Sequence, residues 1–149
     1  FNVLQNLIDF EGLKALDLFA GTGAISFELA SRGCSRVVTV ENYPVQYRFI
    51  CKVAEQLNAQ EIRPIKGDVF HFVPACREKF DFIFADPPYD LPRFAEVAPM
   101  VLQADLLNPG GIFVLEHSKH YDFSSLPGFD QQRVYGSVHF SFFLKPAEE

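Results

Sequence analysis

Cysteine is scarce in this chain, positive charge is scattered, and no apolar run approaches the length of a membrane span. Cys34, Cys51 and Cys76 are three in number and share no metal-ligand spacing. That excludes a paired disulfide framework and a cysteine-built zinc site, and it fits reduced, mostly buried thiols in a cytosol. His71, His117, His120 and His139 are dispersed and outline no metal set. A membrane helix needs about 18 or more consecutive apolar residues, and there are none. No secretory signal pattern occurs. Thirteen Lys and Arg stand against 19 Asp and Glu, a net charge of −6, and no stretch clusters the cations. Affinity for nucleic acid rests largely on neutralised phosphates, so these residues alone predict a weak grip on a polyanion. Repeats, linkers and low-complexity segments are also missing. A single domain of 149 residues, 48% hydrophobic, is therefore expected, with a core of its own.

Strand and helix patterns alternate along the chain. Lys14–Phe19 precedes Ala24–Arg32, Arg36–Glu41 precedes Pro44–Leu57, and Ile62–Lys66 precedes Val69–Cys76. Phe80–Ala85 with Pro92–Ala104 follows, then Gly111–Glu116 after the turn Asn108-Pro109-Gly110-Gly111. The strands are nearly continuous apolar runs, as expected where helices cover both faces of a parallel sheet. Lys119–Gly128 predicts no helix. Gln131–Tyr135 and Val138–Leu144 flank Gly136-Ser137, a two-residue hairpin loop. Phe82, Phe84, Phe113, Phe140 and Phe142 sit at alternating positions and predict core.

The segment Phe80–Ala85 runs straight into Asp86-Pro87-Pro88-Tyr89. Proline lacks an N–H and fixes φ, so the pair ends the strand and stiffens the corner. Asp86 and nearby carbonyls then face outward as acceptors, and Tyr89 offers a flat stacking surface. Acceptors beside a ring suit a planar amine, such as the exocyclic NH2 of a nucleobase. A plain proline-rich turn is the simpler alternative.

Upstream, the first strand leads through Ala20-Gly21-Thr22-Gly23 into a helix start. Such a turn lets a ligand approach the backbone and meet free helix N–H groups. Glu41 ends the second strand 18 residues after Gly23, the place of an acid that accepts ribose hydroxyls, about 20 residues on. Ser26 stands where a third glycine would complete a dinucleotide fingerprint, which disfavours a pyrophosphate ligand. Asp68 ends the third strand as an acceptor for an adenine amine or as a helix N-cap, with Val69 beside it. Phe19 can touch a ligand or pack in the core. His117, ending the fifth strand, can face a target base or make a local hydrogen bond. Cys51 lies on a helix face and reads as structural.

Asp17-Leu18-Phe19-Ala20-Gly21-Thr22-Gly23, Glu41, Gly67-Asp68 and Asp86-Pro87-Pro88-Tyr89 occur in the order of a class I S-adenosylmethionine-dependent methyltransferase. The wording most resembles the RsmD type, which methylates the N2 amine of a guanine in bacterial 16S ribosomal RNA. Ser31-Arg32-Gly33, Leu115-Glu116-His117 and the opening Phe1-Asn2-Val3-Leu4 resemble that family too. The resemblance implies a Rossmann-like, mostly parallel seven-stranded sheet with an antiparallel C-terminal hairpin and helices on both faces. It implies a cofactor site at Asp17, Phe19, Ala20, Gly21, Thr22, Gly23, Glu41, Asn42, Asp68, Val69 and Asp86. It implies a catalytic set of Asp86, Pro87, Pro88 and Tyr89, no metal, a cytoplasmic location, and ribosomal RNA as partner, either free or within a 30S subunit or assembly intermediate. Asn42 departs from the family, which often has an apolar residue there, so adenine packing would fall to Tyr43 or Val69. The family's basic segment ahead of the Phe-Asn-Ile-Leu helix is expected upstream of Phe1. The rivals are a methyltransferase for adenine N6 or a protein glutamine amide, where Asn-Pro-Pro-Tyr is more usual, and a non-catalytic nucleotide-binding module. A dinucleotide oxidoreductase is disfavoured by Ser26 and by the Asp86–Tyr89 corner.

Overall fold

The structure, a computed structural model, describes residues 7–147; the Phe1-Asn2-Val3-Leu4 motif lies outside them. Seven strands form one sheet: β1 (Lys14–Leu18), β2 (Arg36–Glu41), β3 (Ile62–Lys66), β4 (Phe80–Ala85), β5 (Leu107–His117), β6 (Phe129–Tyr135) and β7 (Val138–Leu144). Their order is β3-β2-β1-β4-β5-β7-β6, with β7 antiparallel to both its neighbours and the other pairs parallel. The four α-helices of the described residues are α1 (Ala24–Ser31), α2 (Pro44–Gln56), α3 (Val69–Ala75) and α4 (Val97–Gln103).

Strand alternation sorts side chains onto two faces. Leu16, Leu18, Val38, Val40 and Ile83 pack under α3 and α4 against Val69, Val73, Val97 and Val101. Ala15, Val37, Phe82, Phe84 and Val114 pack on the other face against Leu29 of α1 and Ile50 of α2. Phe80, Phe82, Phe113 and Phe143 are wholly buried, each stabilising by about 3 kcal/mol at most. Phe140 is only partly buried, packed at the edge of the second cluster. Pro64 sits in β3, an edge strand, where its missing N–H costs no ladder bond on the open side.

Several boundaries differ from the sequence expectation. β1 stops at Leu18 because Phe19 adopts φ 59°, a left-handed conformation that no strand continues. Asn108–Gly111 is an irregularity inside β5 rather than a turn before it: pairing with β4 jumps from Phe80↔Leu107 to Phe82↔Ile112. The expected helix Pro92–Ala104 resolves into a 3-10 turn, Phe94–Glu96, followed by α4. β6 begins at Phe129, and α1, α2 and α3 each end one residue early. The hairpin loop is as expected, Tyr135 pairing with Val138 across Gly136-Ser137.

The chain builds β1, β2 and β3 outward in one direction, then returns to place β4 on the other side of β1. That reversal opens a crevice at the carboxyl ends of β1 and β4, the ligand position in sheets of this kind.

Candidate active site

A cavity of about 1060 Å³ occupies that crevice, just above the upper end of the usual size range of small-molecule sites. Its wall starts at the β1–α1 turn. Phe19 and Gly21 both have positive φ, and Gly23 caps α1 at φ 85°. A side chain on Gly23 would also meet Ile50 at 3.0 Å and Phe27 at 3.1 Å, so this position needs glycine for space as well as conformation. The space beside Gly21 is open, with nothing within 4 Å of where a Cβ would stand. Glu41, buried at the tip of β2, ties the turn down. Its Oε1 accepts from the Gly21 N–H at 2.7 Å and its Oε2 from the Tyr43 N–H at 2.9 Å.

Asp68 caps α3, Oδ1 accepting from the Phe70 N–H at 2.8 Å, while Oδ2 carries no hydrogen bond among the described residues. Both sequence readings of Asp68 therefore coexist: it is an N-cap, and it lines the cavity. The Arg93 guanidinium carbon lies over the Phe70 ring, 4.0 Å from its centroid, and the side chain pairs with Glu96. Tyr121 stacks on Phe94 with centroids 4.5 Å apart, giving the far wall an aromatic surface.

The Asp86–Tyr89 corner forms the mouth. Pro87 is buried and anchors it, whereas Tyr89 is 91% exposed, a ring with almost no protein packed on it. In the parallel register Ala85 lies opposite Leu115, so Asp86, just past the end of β4, stands beside Glu116, which is still within β5 and pairs with Phe140 of β7. Their carboxyls interact directly. Asp86 is open to the cavity but crowded by protein, and loss of solvation holds it above the usual carboxylate range. Glu116 is pushed up to about 7, first by burial and then by the neighbouring Asp86 charge. Near neutrality such a pair shares one proton.

The structure brings together Phe19, Ala20, Gly21, Thr22, Glu41, Asn42, Asp68, Val69, Asp86, Pro87, Pro88 and Tyr89 on one cavity. Asp17 and Gly23, expected in the cofactor site, do not line it. Asp17 sits in β1 on the α1 face, where strand alternation turns it beneath the glycine turn. Its Oδ2 accepts from Ser26 Oγ at 2.7 Å, and Ser26 Oγ lies 2.7 Å from Thr39 Oγ1. Burial pushes Asp17 up to about 7. His117 is among the lining residues but is buried. Its Nδ1 donates to the Ser118 carbonyl at 2.7 Å, leaving Nε2 to accept from Ser141 Oγ at 2.7 Å, the local bonding that was the plainer alternative. Burial lowers its pKa, so the ring is neutral at pH 7.

Sequence reasoning left Glu116 out of the site. The signal was present: an acid directly after the apolar run Ile112-Phe113-Val114-Leu115, the same pattern that marks Glu41 and Asp86. Phe70, Arg93, Phe94 and Tyr121 were missed as well, because each reaches the cavity only through tertiary packing.

A family model described as "Conserved hypothetical protein 95" matches residues 1–144. The chain belongs to this family. Among its relatives, "Putative rRNA methyltransferase YlbH" of Bacillus subtilis (strain 168) is 25% identical over 146 residues, covering 91% of this chain and 78% of that protein. "Ribosomal RNA small subunit methyltransferase D" of Buchnera aphidicola subsp. Baizongia pistaciae is 23% identical, covering 76% and 59%. Among solved structures, the 16S rRNA N2 G1207 methyltransferase RsmC of Thermus thermophilus, in complex with AdoMet and guanosine, superposes with a TM-score of 0.78. It is 26% identical and covers 97% of this chain and 41% of that one. The fold is that of class I methyltransferases, and the chain is an S-adenosylmethionine-dependent enzyme of that class.

The site fits that cofactor on its own chemistry. Glu41 and Asp68 supply acceptors for hydroxyls and an amine, the open side of Gly21 allows backbone approach, and the acidic wall suits a cation. Among the described residues no cluster of His, Cys, Asp and Glu could hold a metal, and no helix is long and apolar enough to cross a membrane.

Proposed function

We propose that this protein methylates the exocyclic N2 amine of a guanine in small-subunit ribosomal RNA, as an enzyme of the RsmD type. One observation carries the reading: Asp86, fixed by a buried Pro87, stands at the cavity mouth next to the bare ring of Tyr89. The small-subunit relative and the guanosine-bound neighbour support it.

S-adenosylmethionine supplies an activated methyl group. The protein's task is then to orient the acceptor and exclude water. A base amine is a poor nucleophile because its lone pair is delocalised into the ring. Asp86 and the Pro87 carbonyl hold its two hydrogens, which turns the nitrogen toward tetrahedral geometry. Tyr89 stacks the base, taken from a loop or flipped from a helix. As the methyl's bond to the sulfonium breaks and its bond to nitrogen forms, Asp86 also stabilises the positive charge that grows on nitrogen, and water takes the amine proton afterwards. Glu41 and Asp68 hold the cofactor's ribose and adenine, with Val69 or Tyr43 against the ring. The described part of the chain holds no RNA-binding module, so we take the substrate to be rRNA folded in a 30S particle or assembly intermediate.

The test uses full-length enzyme with labelled cofactor and rRNA or 30S particles from a strain lacking the gene. Label in N2-methylguanosine is the expected result. Label only in adenosine, or only in protein, defeats the proposal.

A further inference from the structure

We propose that Glu116 is a specificity-determining residue that accepts the N1–H of the target guanine while Asp86 accepts its N2 amine. The inference rests on the guanine reading above. Its geometric basis is the register of two strands. Ala85 and Leu115 lie opposite each other in β4 and β5, so the next residues carry two carboxylates onto the same wall of the cavity, alongside Tyr89.

Two adjacent acceptors select for two adjacent donors. Guanine presents N1–H directly beside its N2 amine. Adenine places the bare N1 lone pair beside its N6 amine, and cytosine places bare N3 beside its N4 amine. A second carboxylate at Glu116 thus adds a hydrogen bond to guanine and a lone-pair repulsion to the other two. Asp86 alone cannot make this distinction, because every exocyclic amine offers it the same N–H groups. The free protein bears the cost of placing like charges together. Among the described residues Asp86 is the charged group that acts on Glu116. His117, next along β5, is neutral and turned to Ser118 and Ser141. The incoming donor edge replaces the proton that the pair otherwise shares.

The experiment measures nucleotide binding by NMR titration of the protein saturated with S-adenosylhomocysteine. Guanosine monophosphate is compared with its N1-methyl derivative, which lacks the N1–H. Wild type is expected to prefer the unmodified nucleotide by about tenfold or more, the range for a hydrogen bond to a charged group. Glu116→Ala should bind both alike and retain wild-type affinity for S-adenosylhomocysteine, which reports an intact fold. Asp86→Ala should keep the preference. Equal binding of the two nucleotides by wild type overturns the proposal, and so does a preference that survives Glu116→Ala or an absence of guanosine monophosphate binding. Product analysis separates the two readings. N2-methylguanosine formed by a protein that ignores the N1–H defeats the role of Glu116 alone, whereas label confined to adenosine defeats the guanine reading itself.

Discussion

The two sides of the crevice treat their carboxylates in opposite ways. On the β1–β2–β3 side, Glu41 accepts two backbone N–H groups and Asp68 accepts one. Each acid there is fixed by the chain it terminates. On the β4–β5 side, Asp86 and Glu116 face each other, and both are pushed above the usual carboxylate range. The first side is anchored to backbone N–H groups before any ligand arrives. The second holds two acceptors in excess of the donors around them. A preformed, anchored frame suits a ligand that must be held still. Unsatisfied acceptors beside an exposed ring suit a group on which charge develops. On the proposed function, cofactor holding falls to one side and chemistry to the other.

The largest test of that division is Asp86→Ala. It should lower turnover by about a hundredfold or more, as when a group that stabilises transition-state charge is removed. Cofactor affinity, measured by calorimetry with S-adenosylhomocysteine, should change little. If affinity falls as far as turnover, the two sides are not separate in function.

Glu41→Ala probes the opposite side and should act on binding first. Loss of a charged hydrogen-bond acceptor is expected to weaken S-adenosylhomocysteine by about 1–3 kcal/mol. The variant also frees the Gly21 and Tyr43 N–H groups, so the turn that cradles the ligand loses its tether to β2. Turnover at saturating cofactor should then stay near wild type, and a large fall in it would place Glu41 in the chemistry as well.

The same division explains what the sequence made legible. The glycine turn, Glu41, Asp68 and the Asp86-Pro87-Pro88-Tyr89 corner are local signals: each sits at or just past the end of one strand, so one strand suffices to read it. Glu116 carried the same signal, yet its meaning depends on Asp86 standing opposite, a register between strands that no single segment encodes. The placement of β7 between β5 and β6 is likewise a pairing choice, invisible to a reading that knows only the hairpin. Arg93 and Phe94 were lost when a helix was extended back to Pro92. Asp17 lies off the cavity lining for a different reason. In a sheet covered on both faces, apolar residues occupy every position, so the pattern does not say which way a lone polar residue points.

That buried acid sets the smallest prediction, on stability. Burial is the dominant effect on Asp17 and raises its pKa from 3.8 to about 7. A group whose folded pKa lies above its unfolded value favours folding fully below the unfolded pKa and loses that contribution as pH rises through the folded one. Asp17 therefore weakens the fold progressively between about pH 4 and pH 7, where the unfolded chain ionises it freely and the core does not. Asp17→Asn keeps an acceptor for Ser26 and removes the titration. Its Tm relative to wild type should rise by a few degrees on going from about pH 5 to about pH 8, since roughly 1 kcal/mol moves a domain of this size by about 2–4 °C. Glu116 is also pushed up to about 7, so the difference between the two proteins isolates Asp17 where either curve alone would not. A constant offset between the curves would mean that Asp17 is already ionised within the core. The Ser26 and Thr39 hydroxyls would then outweigh its burial, and Asp17 would resemble the fixed acids Glu41 and Asp68 more than the crowded pair at the cavity mouth.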